Sequence, residues 1–276
     1  MGAQIAAHLA NAGVPVSLLD LSVETAQTGL DRARTLKPDP FFVPEAVLLI
    51  RTGSLEDLTG LADSDWVIEA VIEDLTVKRD LMRRVEAHRA RGTIVSSNTS
   101  GIPLAAIAEG RSEDFRRHWI GTHFFNPPRY LRLVEVIPTT WTDPAVTQAL
   151  TDFLDRRLGK GVVVAKDSPA FIANHIGMFG VIRLLEAVAS GEYTIEEIDA
   201  VTGPAIGRPK SATFRTLDIA GVDILAHVAR DLARRLPSED DRRLFTLPPF
   251  VDAMIARGLL GEKTGQGFYK RIKKDG

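Results

Sequence analysis

A doubly wound α/β lobe followed by an all-helical lobe is the fold this sequence predicts, on three observations. Apolar stretches of strand length alternate with helical patterns up to about residue 167, the spacing of right-handed βαβ crossovers around a parallel sheet. After GVVVAKD (161–167) the pattern turns helical throughout. At 276 residues the chain is long enough for two lobes. The expected domains are residues 1–167 and 168–276.

The opening MGAQIAAHLANAG puts Ile5, Ala6, Leu9 and Ala10 on one helical face, with Gly13 as its stop. VPVSLLD (14–20) reads as a buried strand ending in an acid, and Ser22 can cap a helix to about Leu36. A short strand is expected near 47–51, then a strand in DWVIEA (65–70), a helix over 76–89 and a strand in TIVSSN (93–98). Trp119-Ile120-Gly121-Thr122 predicts a strand ending where His123 begins. Pro127 and Pro128 turn the chain, and Leu131, Leu133, Val134, Val136 and Ile137 predict a second strand carrying Glu135. Beyond Ser168 one long helix is expected through about Val188, with others near 194–203, 216–235 and 248–257.

Composition narrows the function classes. The 45% hydrophobic and 25% charged fractions are those of an ordinary globular protein. A net charge of −2 suggests no general affinity for nucleic acid or anionic membrane. Zero cysteines exclude disulfides, thiolate catalysis and zinc–thiolate sites, and they fit a reducing cytoplasm. No metal site is expected. No apolar run approaches the roughly 20 residues of a membrane span, no signal peptide opens the sequence, and KRIKKDG at its end resembles no lipidation signal.

Two strands joined by a proline loop can bring the Glu135 carboxylate against the His123 imidazole. There it would fix the ring tautomer and stabilise the imidazolium formed when His123 takes a proton. The plainer reading is a structural histidine and a surface glutamate. The first residues carry a second signal. A dinucleotide-binding unit opens strand, G-x-G-x-x-G, helix, strand, with an acid about 20 residues on. Here the helix, the second strand and the acid Asp20 are present, and Gly2 stands where the third glycine belongs. The first strand and first two glycines are not in the sequence. The expectation is a Rossmann-like doubly wound sheet whose first strand is absent, leaving ladder groups of its two neighbours exposed.

MGAQIAAHLANAG, SSNTSGIP (96–103), GTHFFNPP (121–128), LVEVIPT (133–139), KDSPAFIANHI (166–176) and KTGQGFYK (263–270), in that order, closely resemble the 3-hydroxyacyl-CoA dehydrogenase family. GRPKSATFR (207–215) resembles the dehydrogenase portion of large bacterial multifunctional β-oxidation proteins, of which the sequence reads as a fragment or a shortened form. The resemblance implies oxidation of (S)-3-hydroxyacyl-CoA to 3-ketoacyl-CoA with NAD, in fatty-acid β-oxidation. It implies His123 as general base, Glu135 as its partner, Ser100 bonding substrate near the reacting oxygen, and Asn174 polarising the acyl group. Asp20 would bind the adenosine ribose, favouring NAD over NADP. Gly2, Glu73, Lys78, Ser100, Asn126 and Lys263 match further positions near the dinucleotide. A homodimer through the helical domain is implied, with Phe171, Ile176, Phe179, Leu184 and Leu185 as apolar contacts.

Read singly, these residues have other uses. Ser100 could cap a helix near Ile102-Pro103, Asn174 could face solvent, Glu73 and Lys78 could be solvated charges, and Asn126 could only shape its turn. Two other functions share this layout. β-Hydroxyacid dehydrogenases of similar plan rely on a helical-lobe lysine, which His123 and Glu135 argue against. The other is an impaired fragment, or an acyl-CoA-binding protein, unable to hold NAD without its pyrophosphate loop.

Overall fold

The computed structural model describes residues 1–271 and contains two compact units, Met1–Phe171 and a second beginning at Ile172. Most of KRIKKDG lies outside the described residues.

The first unit runs α1 (Gly2–Asn11), β1 (Val16–Asp20), α2 (Val23–Thr35), β2 (Ile50–Ser54), β3 (Trp66–Glu69), α3 (Leu75–His88), β4 (Ile94–Ser97), α4 (Leu104–Ile107), α5 (Glu113–Arg117), β5 (Trp119–Phe124), β6 (Leu133–Pro138), α6 (Pro144–Arg156) and β7 (Gly161–Val164). Helices α2, α3 and α6 start where short polar side chains satisfy orphan amides. Ser22 accepts from the Thr25 N–H, Asp74 from Val77 and Asp143 from Ala145. Gly13, at φ +76°, ends α1 in the left-handed region a glycine adopts without strain.

The strands form two sheets. β1 and β2 pair parallel by themselves. The other five run in the order β3-β4-β5-β6-β7, parallel except for the antiparallel β5–β6 pair. All six residues of β5 are buried, as expected of a strand covered on both faces. The Rossmann-like α/β plan is present, divided between β1 and β3.

Three expectations need correction. Residues 44–49 form a 3₁₀ helix rather than the start of a strand, and β2 begins only at Ile50; Leu48 there is 80% exposed, unlike a buried strand residue. The long helix does not begin near Ser168, because Ala170 and Phe171 take positive φ. The helix near 216–235 is two helices, broken at Gly221, whose φ is +108°.

The second unit contains α7 (Ala173–Ala189), α8 (Ile195–Thr202), α9 (Phe214–Ala220), α10 (Val222–Arg235), α11 (Glu239–Arg243) and α12 (Pro249–Ala256). Thr194 and Glu197 form a capping box at the start of α8. Leu185, Ile198, Phe214, Val222, Leu225 and Val251 make its core. KTGQGFYK closes over this core. The Asp218 carboxylate accepts from the Phe268 and Tyr269 amides at 2.8 Å, and a side chain at Gly267 would collide with that carboxylate. The Tyr269 hydroxyl donates to Asp199 at 2.9 Å; burial and this carboxylate push the phenol upward. Among the described residues no helix is long and apolar enough to cross a membrane.

Candidate active site

The parallel strands of the first unit end in a row of polar residues, the edge at which open α/β sheets bind ligands. β5 and β6 pair with His123 directly opposite Glu135. Pro127 and Pro128 cannot extend the ladder, and the chain turns through amides of Tyr130 and Leu131 that donate to the Pro127 carbonyl. The Glu135 Oε2 atom lies 2.7 Å from His123 Nδ1, and the two residues are 1% and 5% exposed. A carboxylate there accepts from Nδ1–H, which makes Nε2 the basic nitrogen. The rings of Phe125 and Phe171 lie 4.4 and 5.5 Å from the imidazole, centre to centre. Phe171 is therefore buried beside the histidine and is not available as a dimer contact.

A second cluster joins the ends of β3 and β4. Lys78, 1% exposed, donates to Glu69 at 2.6 Å and lies 3.3 Å from Glu73, so it is not a solvated charge. Ser97 donates to the other Glu69 oxygen at 2.5 Å. Glu73 in turn accepts from the Thr99 hydroxyl at 2.5 Å and from the amides of Ser100 and Gly101 at 3.0 and 3.1 Å. Burial would raise the Glu73 carboxyl, but the Thr99 bond and the Lys78 charge outweigh it and hold the group below its usual value. The outcome is a fixed loop from residue 98 to 103 with Ser100 exposed on it. Asn98 ties that loop to the histidine strand, accepting from the Phe124 amide at 2.8 Å.

Asp20 ends β1 and accepts from the Leu21 amide, Gly2 opens α1, and Asn126 is exposed in the turn after β5. Ser100 caps nothing: the amides of Leu104 and Ala105 are capped by Asp167 at 3.1 Å. In the second unit, Asn174 stands on the first turn of α7, and Lys263 pairs with Asp223 at 2.6 Å. The geometry pairs His123 with Glu135 and, separately, Glu73 with Lys78 and the Ser100 amide; Asn126, Asp20 and Gly2 lie elsewhere in the first unit, and Asn174 and Lys263 belong to the second.

Sequence reasoning missed Glu69 and Lys160. Lys160, 2% exposed, donates to the carbonyls of Pro128 and Leu131 and so anchors the turn that follows Asn126; burial pushes its ammonium down to about 8. An acid closing a strand and a lysine before a glycine give no sign of burial in the sequence. Among the described residues no cluster of three or more His, Cys, Asp or Glu could hold a metal.

The residues present suit a dinucleotide. α1 starts with no side-chain cap and no acid in its first turn, leaving amides and the positive end of the helix dipole for an anion. The Asp20 carboxylate suits a ribose diol and disfavours a 2′-phosphate.

Residues 1–168 match the 3-hydroxyacyl-CoA dehydrogenase NAD binding domain, and residues 171–271 match the 3-hydroxyacyl-CoA dehydrogenase C-terminal domain. A probable 3-hydroxyacyl-CoA dehydrogenase of Deinococcus radiodurans is 49% identical, the alignment covering 100% of this chain and 81% of that protein. A protein of the same description from Bacillus subtilis is 46% identical over 99% of this chain, which spans 37% of that longer protein. The crystal structure of (S)-3-hydroxybutyryl-CoA dehydrogenase from Ralstonia eutropha superposes with a TM-score of 0.81 at 28% identity, covering 99% of this chain and 96% of the other. The chain belongs to the 3-hydroxyacyl-CoA dehydrogenase family of NAD-dependent oxidoreductases.

Proposed function

We propose that the chain oxidises (S)-3-hydroxyacyl-CoA to 3-ketoacyl-CoA in fatty-acid β-oxidation, with His123 as general base. The observation that carries this reading is the buried His123–Glu135 pair. Bound against the first unit, NAD would supply the acceptor for the hydride leaving C3. His123 Nε2 takes the hydroxyl proton, and the Glu135 carboxylate stabilises the imidazolium that results. Ser100, on its fixed loop, donates to the reacting oxygen, and Asn174 donates to the acyl carbonyl. Gly2, Asp20, Glu73, Lys78 and Asn126 would hold or flank the dinucleotide, with Lys263 matching a further family position near it. The absence of cysteine supports a reducing, cytoplasmic setting.

We also assign a homodimer to the helical unit, on the exposure of Ile176 (65%) and Phe179 (40%) on α7. Leu185 is fully buried within its own chain and does not belong to that face. A monomeric mass by light scattering at micromolar concentration would count against the dimer.

The test of the catalytic reading is His123→Gln, assayed with a 3-hydroxyacyl-CoA and NAD. Turnover should fall roughly 10²–10⁴-fold, the usual worth of a general base, while NADH affinity by calorimetry stays unchanged. Wild-type kcat/KM in this variant would remove His123 from the chemistry.

A further inference from the structure

β4 and β5 separate at the edge where His123 and Ser100 stand. Their parallel ladder ends at Ser97 and Gly121, while β5 runs three residues further, to Phe124, alongside β6. Phe124 is 2% exposed, so its amide cannot turn to water. The Asn98 side chain supplies the partner, its Oδ1 accepting from the Phe124 N–H at 2.8 Å. That donor must face the oxygen, which fixes the orientation of the carboxamide. The Asn98 backbone N–H meanwhile donates to the Glu69 carbonyl at 2.7 Å. Asn98 thus extends the β3–β4 ladder with its backbone and the β4–β5 ladder with its side chain. Immediately beyond it the chain leaves the sheet and forms the loop that carries Ser100.

We propose that Asn98 is a positioning residue of the reaction, setting the spacing between the Ser100 hydroxyl and the His123 imidazole. This role rests on the catalytic reading given above, in which both groups meet the same substrate oxygen. Ser100 donates to that oxygen and His123 takes its proton, so an error in their separation weakens both interactions. Ser100 lies two residues after Asn98, and His123 one before Phe124, so the 2.8 Å bond is a short tether between them. The other supports hold each group separately. Glu135 holds the imidazole from β6, and Glu73, in the turn between β3 and α3, holds the Thr99 hydroxyl and the Ser100 amide. Without the Asn98 bond each group keeps its own support, and their separation is left to the backbone ladder that ends at Ser97 and Gly121. A misplacement of about 1 Å can cost on the order of 10²-fold in rate. Asn98 acts here through Ser100 and His123, not through the cofactor, so its loss leaves NADH affinity in place.

The experiment compares the full chain with Asn98→Ala, Asn98→Asp, Ser100→Ala and the double variant Asn98→Ala/Ser100→Ala. It reads kcat/KM for a 3-hydroxyacyl-CoA on the pH-independent plateau, NADH affinity by calorimetry and folding by urea midpoint. Asn98→Ala removes the acceptor and should lower kcat/KM at least about tenfold, with NADH affinity kept within about twofold. Asn98→Asp keeps an oxygen for the Phe124 amide and should restore most of that loss. Ser100→Ala should cost far less in Asn98→Ala than in wild type, because the hydroxyl is already out of place. Asn98→Ser, whose shorter side chain draws the oxygen back, takes the place of Asn98→Ala where that variant does not fold. A residue that only holds the fold together would lower the urea midpoint and leave Ser100→Ala equally costly in both backgrounds, which overturns the proposal. Wild-type kcat/KM in Asn98→Ala, an Asn98→Asp enzyme as slow as Asn98→Ala, or NADH affinity that falls in step with kcat/KM also overturns it. His123→Gln, assayed in parallel, separates the two readings: a slow His123→Gln beside a fast Asn98→Ala removes the spacing role and leaves the catalytic reading standing.

Discussion

Two regions of the first unit, the strands around β5 and the pair β1 and β3, are built from similar strands and differ in one respect. Around β5, each strand has a partner on both sides: Trp119 to Phe124 are all buried, and the His123–Glu135 pair is held at 2.7 Å. Around β1 and β3, strands just as apolar have one partner each, and Val16, Leu18, Trp66, Val67 and Ile68 are only half-buried. Burial is thus a property of the sheet's completeness more than of the strand's composition. A strand paired on both sides can keep a carboxylate out of water against an imidazole.

β3 belongs to both regions, and its anchor is the place to break the contrast most strongly. Glu69 at its end has a fully buried side chain paired with Lys78. Lys78→Met should cost about 3–5 kcal/mol in urea unfolding, because it leaves a buried carboxylate without its cation. A loss below about 1 kcal/mol would mean that the Ser97 hydroxyl and the Val71 amide, which donates to Glu69 at 2.7 Å, suffice to hold Glu69.

Two glycines sharpen the comparison. A Cβ on Gly121, within the closed region, would sit 2.7 Å from Leu104 Cδ1 and 3.0 Å from Ile137 Cβ. A Cβ on Gly2, at the open region, would meet Ala70 at an ordinary 3.8 Å. Gly121→Ala should destabilise by about 1–3 kcal/mol through overpacking. Gly2→Ala should stay within about 0.5 kcal/mol. Equal losses would contradict the difference in packing.

The smallest effect is a pH slope. Burial, helped by the charges of Lys160 and Arg129, pushes His8 on α1 down to about 4 from an ordinary 6.5. The unfolded chain therefore takes this proton first as pH falls. Stability from neutral, buried His8 is complete above about pH 6.5 and is lost as pH drops toward 4. His8→Leu should lose less stability than wild type between pH 7 and pH 5, read from urea midpoints. Parallel losses would remove His8 as a source of the slope.

What the sequence shows of this molecule follows the range of each interaction. The hairpin of residues 119–138 is legible because its strands, turn prolines and paired His123 and Glu135 lie within one short segment. The cap at Ser22 is equally local. The Lys78–Glu69 pair is not: an acid ending a strand and a lysine on a helix read as solvated until the fold brings them together. Asp167 caps α4 from 62 to 63 positions away, so a cap at Ser100 stood as the plainer alternative for that residue. Phe171 read as a dimer contact because nothing in the helical pattern shows that positive φ at Ala170 and Phe171 turns its ring toward His123.

The central claim is that His123 and Glu135 act as one catalytic unit. The most direct measurement is a double-mutant cycle on kcat/KM with a 3-hydroxyacyl-CoA, using His123→Gln, Glu135→Gln and both together. If the carboxylate works only through the imidazole, Glu135→Gln slows the wild-type enzyme but adds nothing to His123→Gln. The account predicts a double variant as active as His123→Gln alone, with NADH affinity unchanged in all three. Losses that multiply independently, or a Glu135→Gln enzyme with wild-type kcat/KM, would contradict it.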